Sequence, residues 1–428
     1  MSTIKHRLTA LLRASERYTK TDMVYLTKNG FWLTVGQFAA SGGALVLAVL
    51  FANLLPKDVY GTYRYVLSVV SILGIATLSG INTTLGQGVA RGHEGSFLPA
   101  LTTKIRYGLV GGVVSLVLAG YYYTLHNTTL ALAFTISAVF LPLMDPLSLF
   151  YVYLQSKKLF RESTSYFIQT QLTATLTMAV ALFLTDNLAL ILLAYFLPWT
   201  LTRYFFYRSA LKRFPPNSSH DPDIISRGKH ISAVGVLSSM GSYFDGPIIF
   251  HFLGAIPLAL YGIAIAPVAQ LGALFLKNIP VLSIPRLASR SFREINHLLY
   301  RRMVVLALIG IVVGIVYALS APYFFTLLFP KYMEAVAYSQ WYVFIIAFQL
   351  PASFFNAVQQ SKISFFPKKW LYWGAVPDAA LVLSLLVFVP LIGLPGVIVS
   401  KFIEQIMGFA VGLSQWILIS RRESLSTI

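Results

Sequence analysis

The chain has 428 residues, 57% of them hydrophobic and only 11% charged, with a mean hydropathy of +0.70. Soluble domains carry about a quarter charged residues, so this chain cannot cover a water-facing surface and a cytosolic enzyme is excluded first. The net charge of +18 raises nucleic acid as a partner, while the absence of cysteine removes disulfides, thiolate metal sites and cysteine nucleophiles.

In residues 1–28, Ile4, Leu8, Leu11 and Leu12 share one helical face among Lys5, Arg7, Arg13 and Arg17. That pattern suits an amphipathic helix lying on the inner membrane surface, and a disordered basic tail fits the same residues. The apolar segment that follows is a full span without a small-residue cleavage site, so it is not a signal peptide.

With a template of about 20 apolar residues, twelve spans are predicted. They lie near 31–52, 63–85, 107–124, 130–153, 166–184, 188–208, 231–253, 257–277, 303–320, 337–357, 370–391 and 395–419. Their length and lack of strict alternation predict an all-α integral membrane protein rather than a barrel.

Alternate loops hold 29 of the 33 Lys and Arg residues, and the opposite loops hold only Lys57 and Lys331. Positive charge marks the cytoplasmic side, which predicts both termini inside. The basic excess is thus an insertion signal; no nucleic-acid partner is expected, and anionic lipid headgroups are natural neighbours of that face.

The outer loops are short, the longest near 321–336, so no outer catalytic domain can be built. Asp221-Pro222-Asp223 matches the Asp-x-Asp pattern of nucleotide-sugar enzymes, but it sits in a Pro/Ser/Asn-rich stretch where so short a match arises by chance. No HExxH, nucleophile elbow or clustered carboxylates are present, and the chain is expected not to be an enzyme.

Two motifs recur. Pro56-x-x-x-Tyr60-Gly61 returns as Pro257-x-x-x-Tyr261-Gly262, an offset of 201 residues. Pro146-x-Ser148-x-Phe150 with Gln155-Ser156-Lys157 returns as Pro351-x-Ser353-x-Phe355 with Gln360-Ser361-Lys362, an offset of 205. Both pair one span with the sixth after it, so the repeat is parallel about an axis along the membrane normal. The predicted organisation is a six-helix bundle at 29–208, a cytoplasmic linker at 209–230, a second bundle at 231–419 and a tail at 420–428. Two such bundles create a cleft that rocking exposes to each side in turn, which predicts a transporter or flippase.

The segments FANLLPKDVYGTYRYVLSVVSIL, FLGAIPLALYGIAIAPVAQL and LLFPKYMEAVAYSQWYVFIIAFQLPASFFNAVQQSK resemble bacterial polysaccharide flippases of the multidrug/oligosaccharidyl-lipid/polysaccharide superfamily. The resemblance implies transbilayer movement of an undecaprenyl-diphosphate-linked oligosaccharide for surface polysaccharide, in the bacterial cytoplasmic membrane, with polysaccharide polymerase or assembly proteins as possible partners. Multidrug/cation antiporters of the same superfamily are the alternative. A major-facilitator transporter is the weaker one, because GQGVARGHEG at 86–95 has Gly86 and Arg91 but lacks the Asp that group places there.

Ionisable residues within spans cost about 2.5 to 3.5 kcal/mol each on insertion scales, so they point to mechanism. They are Arg64, Asp145, Asp245, Asp378, Lys401 and Glu404. Arg64 suits a diphosphate because a guanidinium stays charged and donates two parallel hydrogen bonds; snorkelling or pairing with Asp58 is the plain alternative. Arg91 and Lys277 are candidates to receive the diphosphate at the inner mouth. The resemblance places a cation site among the seventh, eleventh and twelfth helices, making Asp245, Asp378 and Glu404 candidates for coupling to a Na+ or H+ gradient, with Lys401 as a departure that can pair with them. No other metal or cofactor is expected. Asp145 is expected to be paired or protonated, and Trp32, Trp341, Trp370, Trp373 and Trp416 to form an interfacial belt, with Trp199 either packed inside or lining the cavity.

Overall fold

The computed structural model describes residues 23–426 apart from 242, 277–282, 285–286, 288–289, 363–366, 368–369 and 371–372. Lys277 and residues 1–22 of the predicted amphipathic segment lie outside the described residues.

The first half contains α1 (Met23–Leu54), α2 (Lys57–Gly74), α3 (Gly80–Ala90), α4 (Phe97–Thr124), α5 (Thr128–Met144), α6 (Leu149–Ser156), α7 (Phe160–Leu184) and α8 (Leu188–Arg213). The second contains α9 (Ile224–Met240), α10 (Asp245–Leu253), α11 (Ala255–Leu276), α12 (Phe292–Leu328), α13 (Ala335–Tyr342), α14 (Ile346–Ser361), α15 (Ala375–Ile392) and α16 (Leu394–Ser426). Eleven helical spans among the described residues are long and apolar enough to cross a membrane. The seventh predicted span is instead a tandem pair, α9 and α10, interrupted between Met240 and Asp245. The protein is therefore an all-α multi-pass membrane protein of about twelve crossings.

Local chemistry explains the breaks. Pro56 precedes α2 and fixes its entry, so this helix begins six residues earlier than predicted. Leu78 adopts a left-handed backbone with φ of 60°, which separates α2 and its 3-10 extension from α3. Pro146 lacks an N–H and interrupts the fourth span between α5 and α6. The predicted inner loop at 86–106 is largely helical, since α3 reaches Ala90 and α4 starts at Phe97. The stretch between α8 and α9 is non-helical only over 214–223. Large apolar side chains such as Val117, Leu176, Val312 and Leu383 lie exposed on α4, α7, α12 and α15, the faces left for lipid.

The two ends are packed differently. At the end away from the termini, Phe51, Tyr60 and Val66 of the first half share one core with Ile249, Leu258, Phe329 and Leu381 of the second. At the basic end, Leu85, Phe97 and Tyr153 build a core that takes Ile224 from the second half, while Ile295, Phe355 and Trp416 form another. Trp416 is thus not a belt residue: it is 2% exposed and its Nε1 donates to Asn296 Oδ1 at 2.6 Å. Trp341, by contrast, is 70% exposed.

Candidate functional site

The seam between the halves is built by the first repeat. Gly61 of α2 lies against the backbone of Ala255, and Gly262 of α11 lies against the side chain of Arg64, so each copy of the motif supplies the flat surface that the other half packs on. A Cβ at Gly262 would sit 2.6 Å from Arg64 Nε. Farther along α2, Tyr65 stacks on Phe250 of α10 at 4.0 Å, and Ser68 is packed against Gly246.

Arg64 is held within this seam but weakly satisfied. Its Nη1 donates to Tyr60 Oη at 3.5 Å, and its buried Nε has no hydrogen-bond partner. It makes no ion pair with Asp58 among the described residues. An orphaned buried donor costs about 1 to 3 kcal/mol, which marks the guanidinium as a group with unused capacity.

Beyond Arg64 the acidic residues gather. Tyr261 Oη donates to Asp245 Oδ2 at 2.9 Å, and the Gly246 N–H donates to Asp245 Oδ1 at 2.8 Å. Lys401 Nζ lies 3.8 Å from Asp245 and 3.7 Å from Glu404. Asp378 packs against Gly241, where α9 ends. The four predicted residues are thus brought to the interrupted seventh span, with the ammonium of Lys401 between two carboxylates. Among the described residues no three His, Cys, Asp or Glu side chains are arranged to hold a metal ion.

Arg91 is separate from this group. Its Nη2 lies 3.3 Å from Asp221 Oδ2, and Arg227 binds the same oxygen. The carboxyl of Asp221 is held below its usual range by the Asp223 N–H first, then by Arg227 and Arg91. The Asp-x-Asp pattern is therefore a clasp that fastens the linker to both halves, aided by Thr84 Oγ1 donating to Ile224 O at 2.9 Å and Gly80 N–H donating to Ser232 Oγ at 2.9 Å.

Two polar groups were missed in sequence because they were counted as loop or boundary residues. Lys104 lies inside α4, its side chain fully buried, and pairs with Asp145 at 3.0 Å while donating to Asn82 Oδ1 at 2.7 Å. Thr77 Oγ1 also donates to Asp145, at 2.7 Å. Arg203 lies inside α8, stacks over Trp199 at 4.5 Å and donates to Met144 O at 2.6 Å, the last carbonyl of α5 before the Pro146 break. A second group closes the opposite end. Asn53 Nδ2 donates to Leu328 O at 2.8 Å, Lys331 Nζ donates to Asn53 O at 2.6 Å, and Lys57 lies 3.3 Å from Glu334. Both cations of the sparsely charged end thus bridge the halves, and their isolation in sequence was the available signal.

Residues 26–289 match the polysaccharide biosynthesis protein family, and the chain belongs to it. No curated protein is significantly similar in sequence. Among solved structures, an inward-facing multidrug resistance MATE family transporter of the MOP superfamily superposes with a TM-score of 0.62 at 14% identity, covering 90% of this chain and 96% of that one. The lipid II flippase MurJ in an inward closed conformation gives 0.59 at 12% identity, covering 92% and 90%. The Vibrio cholerae MATE transporter VcmN gives 0.54 at 14% identity, covering 94% and 97%. The chain is thus a member of the polysaccharide biosynthesis protein family with the fold of these membrane transporters.

Proposed function

We propose that this protein flips an undecaprenyl-diphosphate-linked oligosaccharide across the bacterial cytoplasmic membrane by alternating access, for surface polysaccharide biosynthesis. The observation that carries this reading is the guanidinium of Arg64, half-buried in the seam between the halves with its buried Nε unused as a donor. A diphosphate entering the seam supplies the acceptor that Nε lacks, and a guanidinium can meet it with parallel hydrogen bonds. Arg91, at the basic end, and Lys277, by its place in the sequence alone, are the cations we assign to first receipt of the headgroup.

The core shared by both halves away from the termini, with the Asn53, Lys331 and Lys57 contacts, supports a state closed at that end. We assign the basic end to the cytoplasm, which puts both termini inside and lets the substrate enter from the leaflet where lipid-linked sugars are assembled. Asp245, Asp378 and Glu404 serve gradient coupling, with protons favoured over Na+ because Lys401 already places a cation between two of the carboxylates. Polymerase or assembly proteins on the far side would take up the product.

The test is transport by purified protein in proteoliposomes, comparing a fluorescent lipid-linked oligosaccharide with cationic dyes. Flipping of the lipid without dye movement supports the reading; dye movement without flipping assigns the chain to drug export instead.

A further inference from the structure

Inside the first half, a second cationic group lies at the break of the fourth span, nearer the basic end than Arg64. Resting on the flippase reading, we infer that Arg203, with Lys104 beside it, forms an anion station that holds the diphosphate of the lipid-linked sugar before it reaches Arg64.

Helix periodicity turns both ends of this group inward. On α8, Arg203 continues the stripe of Leu192 and Phe196, which are fully buried, while Leu197, Leu201 and Phe205 on the other side are exposed. At the end of α5, Asp145 continues the buried stripe of Phe134, Ala138 and Leu141, away from the exposed Val139 and Leu143. Neither residue therefore faces lipid. Yet the Asp145 side chain is 46% accessible, so open space inside the bundle reaches it.

The charges there do not cancel. Lys104 pairs with Asp145 at 3.0 Å and donates to Asn82 Oδ1 at 2.7 Å, which accounts for the only carboxylate of the group. Arg203 makes no ion pair among the described residues, although Asp145 and Tyr151 lie within electrostatic reach of it. Its Nη1 donates to Met144 O at 2.6 Å and its guanidinium lies over the Trp199 ring at 4.5 Å, so the plane is fixed. Its buried Nε has no partner, and neither has the buried Oγ1 of Thr200, a neighbour on the same face of α8. A surplus positive charge beside two unused donors suits an anionic oxygen ligand, and a cation within a span serves a path rather than lipid.

Depth sets the order of the two arginines. Tyr63, the neighbour of Arg64, meets Tyr195 of α8 ring to ring at 6.2 Å, and Arg203 lies eight residues beyond Tyr195, about 12 Å farther toward the basic end. One diphosphate is too short to touch both, so they act in sequence. The end away from the termini is closed by the core that both halves share, and a headgroup arriving from the basic end meets Arg203 first. Asp145 is then the built-in competitor: it draws on the same two cations while the station is empty and yields to the stronger anion.

The test is calorimetric titration of the purified full chain with undecaprenyl diphosphate and, separately, with inorganic pyrophosphate. The wild type should bind the lipid, Arg203→Gln should weaken binding by about tenfold, the worth of one charge-assisted contact, and Arg203→Lys should lie between them. Asp145→Asn, which removes the competitor, should tighten binding several-fold, a gain that a merely structural role would not produce. Size-exclusion profiles show whether each variant is folded; if Arg203→Gln is not, Arg203→Lys and Asp145→Asn decide. Lipid binding that is unchanged in the Arg203 variants, or weakened in a folded Asp145→Asn protein, overturns the station while leaving the flippase reading in place. Pyrophosphate bound through Arg203 by a protein that does not take the lipid keeps the anion site and removes the lipid substrate instead.

Discussion

Arg64 lies on Gly262, and the absence of a side chain at Gly262 is what gives the guanidinium its place in the seam. A Cβ there would come within 2.7 Å of Arg64 Cζ as well as close to Nε. Gly262→Ala is therefore predicted to displace the guanidinium and lower flipping by about tenfold or more, as misplacements of about 1 Å do. Thermal stability should fall much less than activity. Equal losses in both would show that the glycine serves packing alone.

The Lys104 and Asp145 pair carries a different prediction. Lys104 is fully buried, so removing Asp145 strands an ammonium in the protein interior, whereas removing Lys104 leaves a half-exposed carboxylate. Breaking a buried pair costs about 3 to 5 kcal/mol, and here the partner Asp145 is 46% accessible, which reduces the expected cost of Lys104→Ala to about 2 kcal/mol. Replacing both, as Lys104→Met with Asp145→Leu, should recover most of it. Thermal unfolding in detergent checks this, and a double variant no better than the single one would contradict it.

The closed end gives a prediction about motion. Lys57 and Glu334 lie across the halves at 3.3 Å, and the chain has no native cysteine, so spin labels can be placed at these two positions without background. A short distance is expected in the resting protein and a second, longer population once lipid-linked oligosaccharide and a gradient are supplied. A single distance under all conditions would exclude opening at this end. The ion pair itself is exposed, and Glu334→Gln should change stability by less than about 1 kcal/mol.

Linker fastening depends on pH. The Asp221 carboxyl is depressed in the folded protein, so its contribution is present above the ordinary Asp value of about 3.9 and is lost as pH falls toward the folded value. Melting temperatures of wild type and Asp221→Asn should therefore differ at neutral pH and converge below about pH 4. A constant difference would remove the clasp as the cause.

Much of this was legible in sequence because hydropathy and the repeated Pro, Tyr and Gly positions report directly on membrane crossing and on the seam. Gly61 and Gly262 recur as a motif, and in the fold each is a point of close contact between the halves. What sequence hid was a matter of boundaries. Lys104 and Arg203 read as loop cations because apolar windows end near them, yet their long side chains reach back into the first half to meet Asp145 and the Met144 carbonyl. The interruption before Asp245 escapes hydropathy although Ser238, Ser239, Gly241, Gly246 and Pro247 flank it, because a window of about 20 residues averages these helix-weakening positions with the apolar ones around them.

Coupling is tested through Asp378. Asp378→Asn should leave flipping without a gradient intact and abolish its acceleration by a proton gradient; acceleration that survives would remove this carboxylate from coupling.

The central claim rests on Arg64, and flipping of lipid-linked oligosaccharide by Arg64→Ala and Arg64→Lys in proteoliposomes tests it most directly. A guanidinium in the seam that binds diphosphate predicts a loss of about a hundredfold for Ala and only partial recovery by Lys, whose point charge cannot make the parallel contacts. Wild-type rates in a folded Arg64→Ala protein would contradict the account.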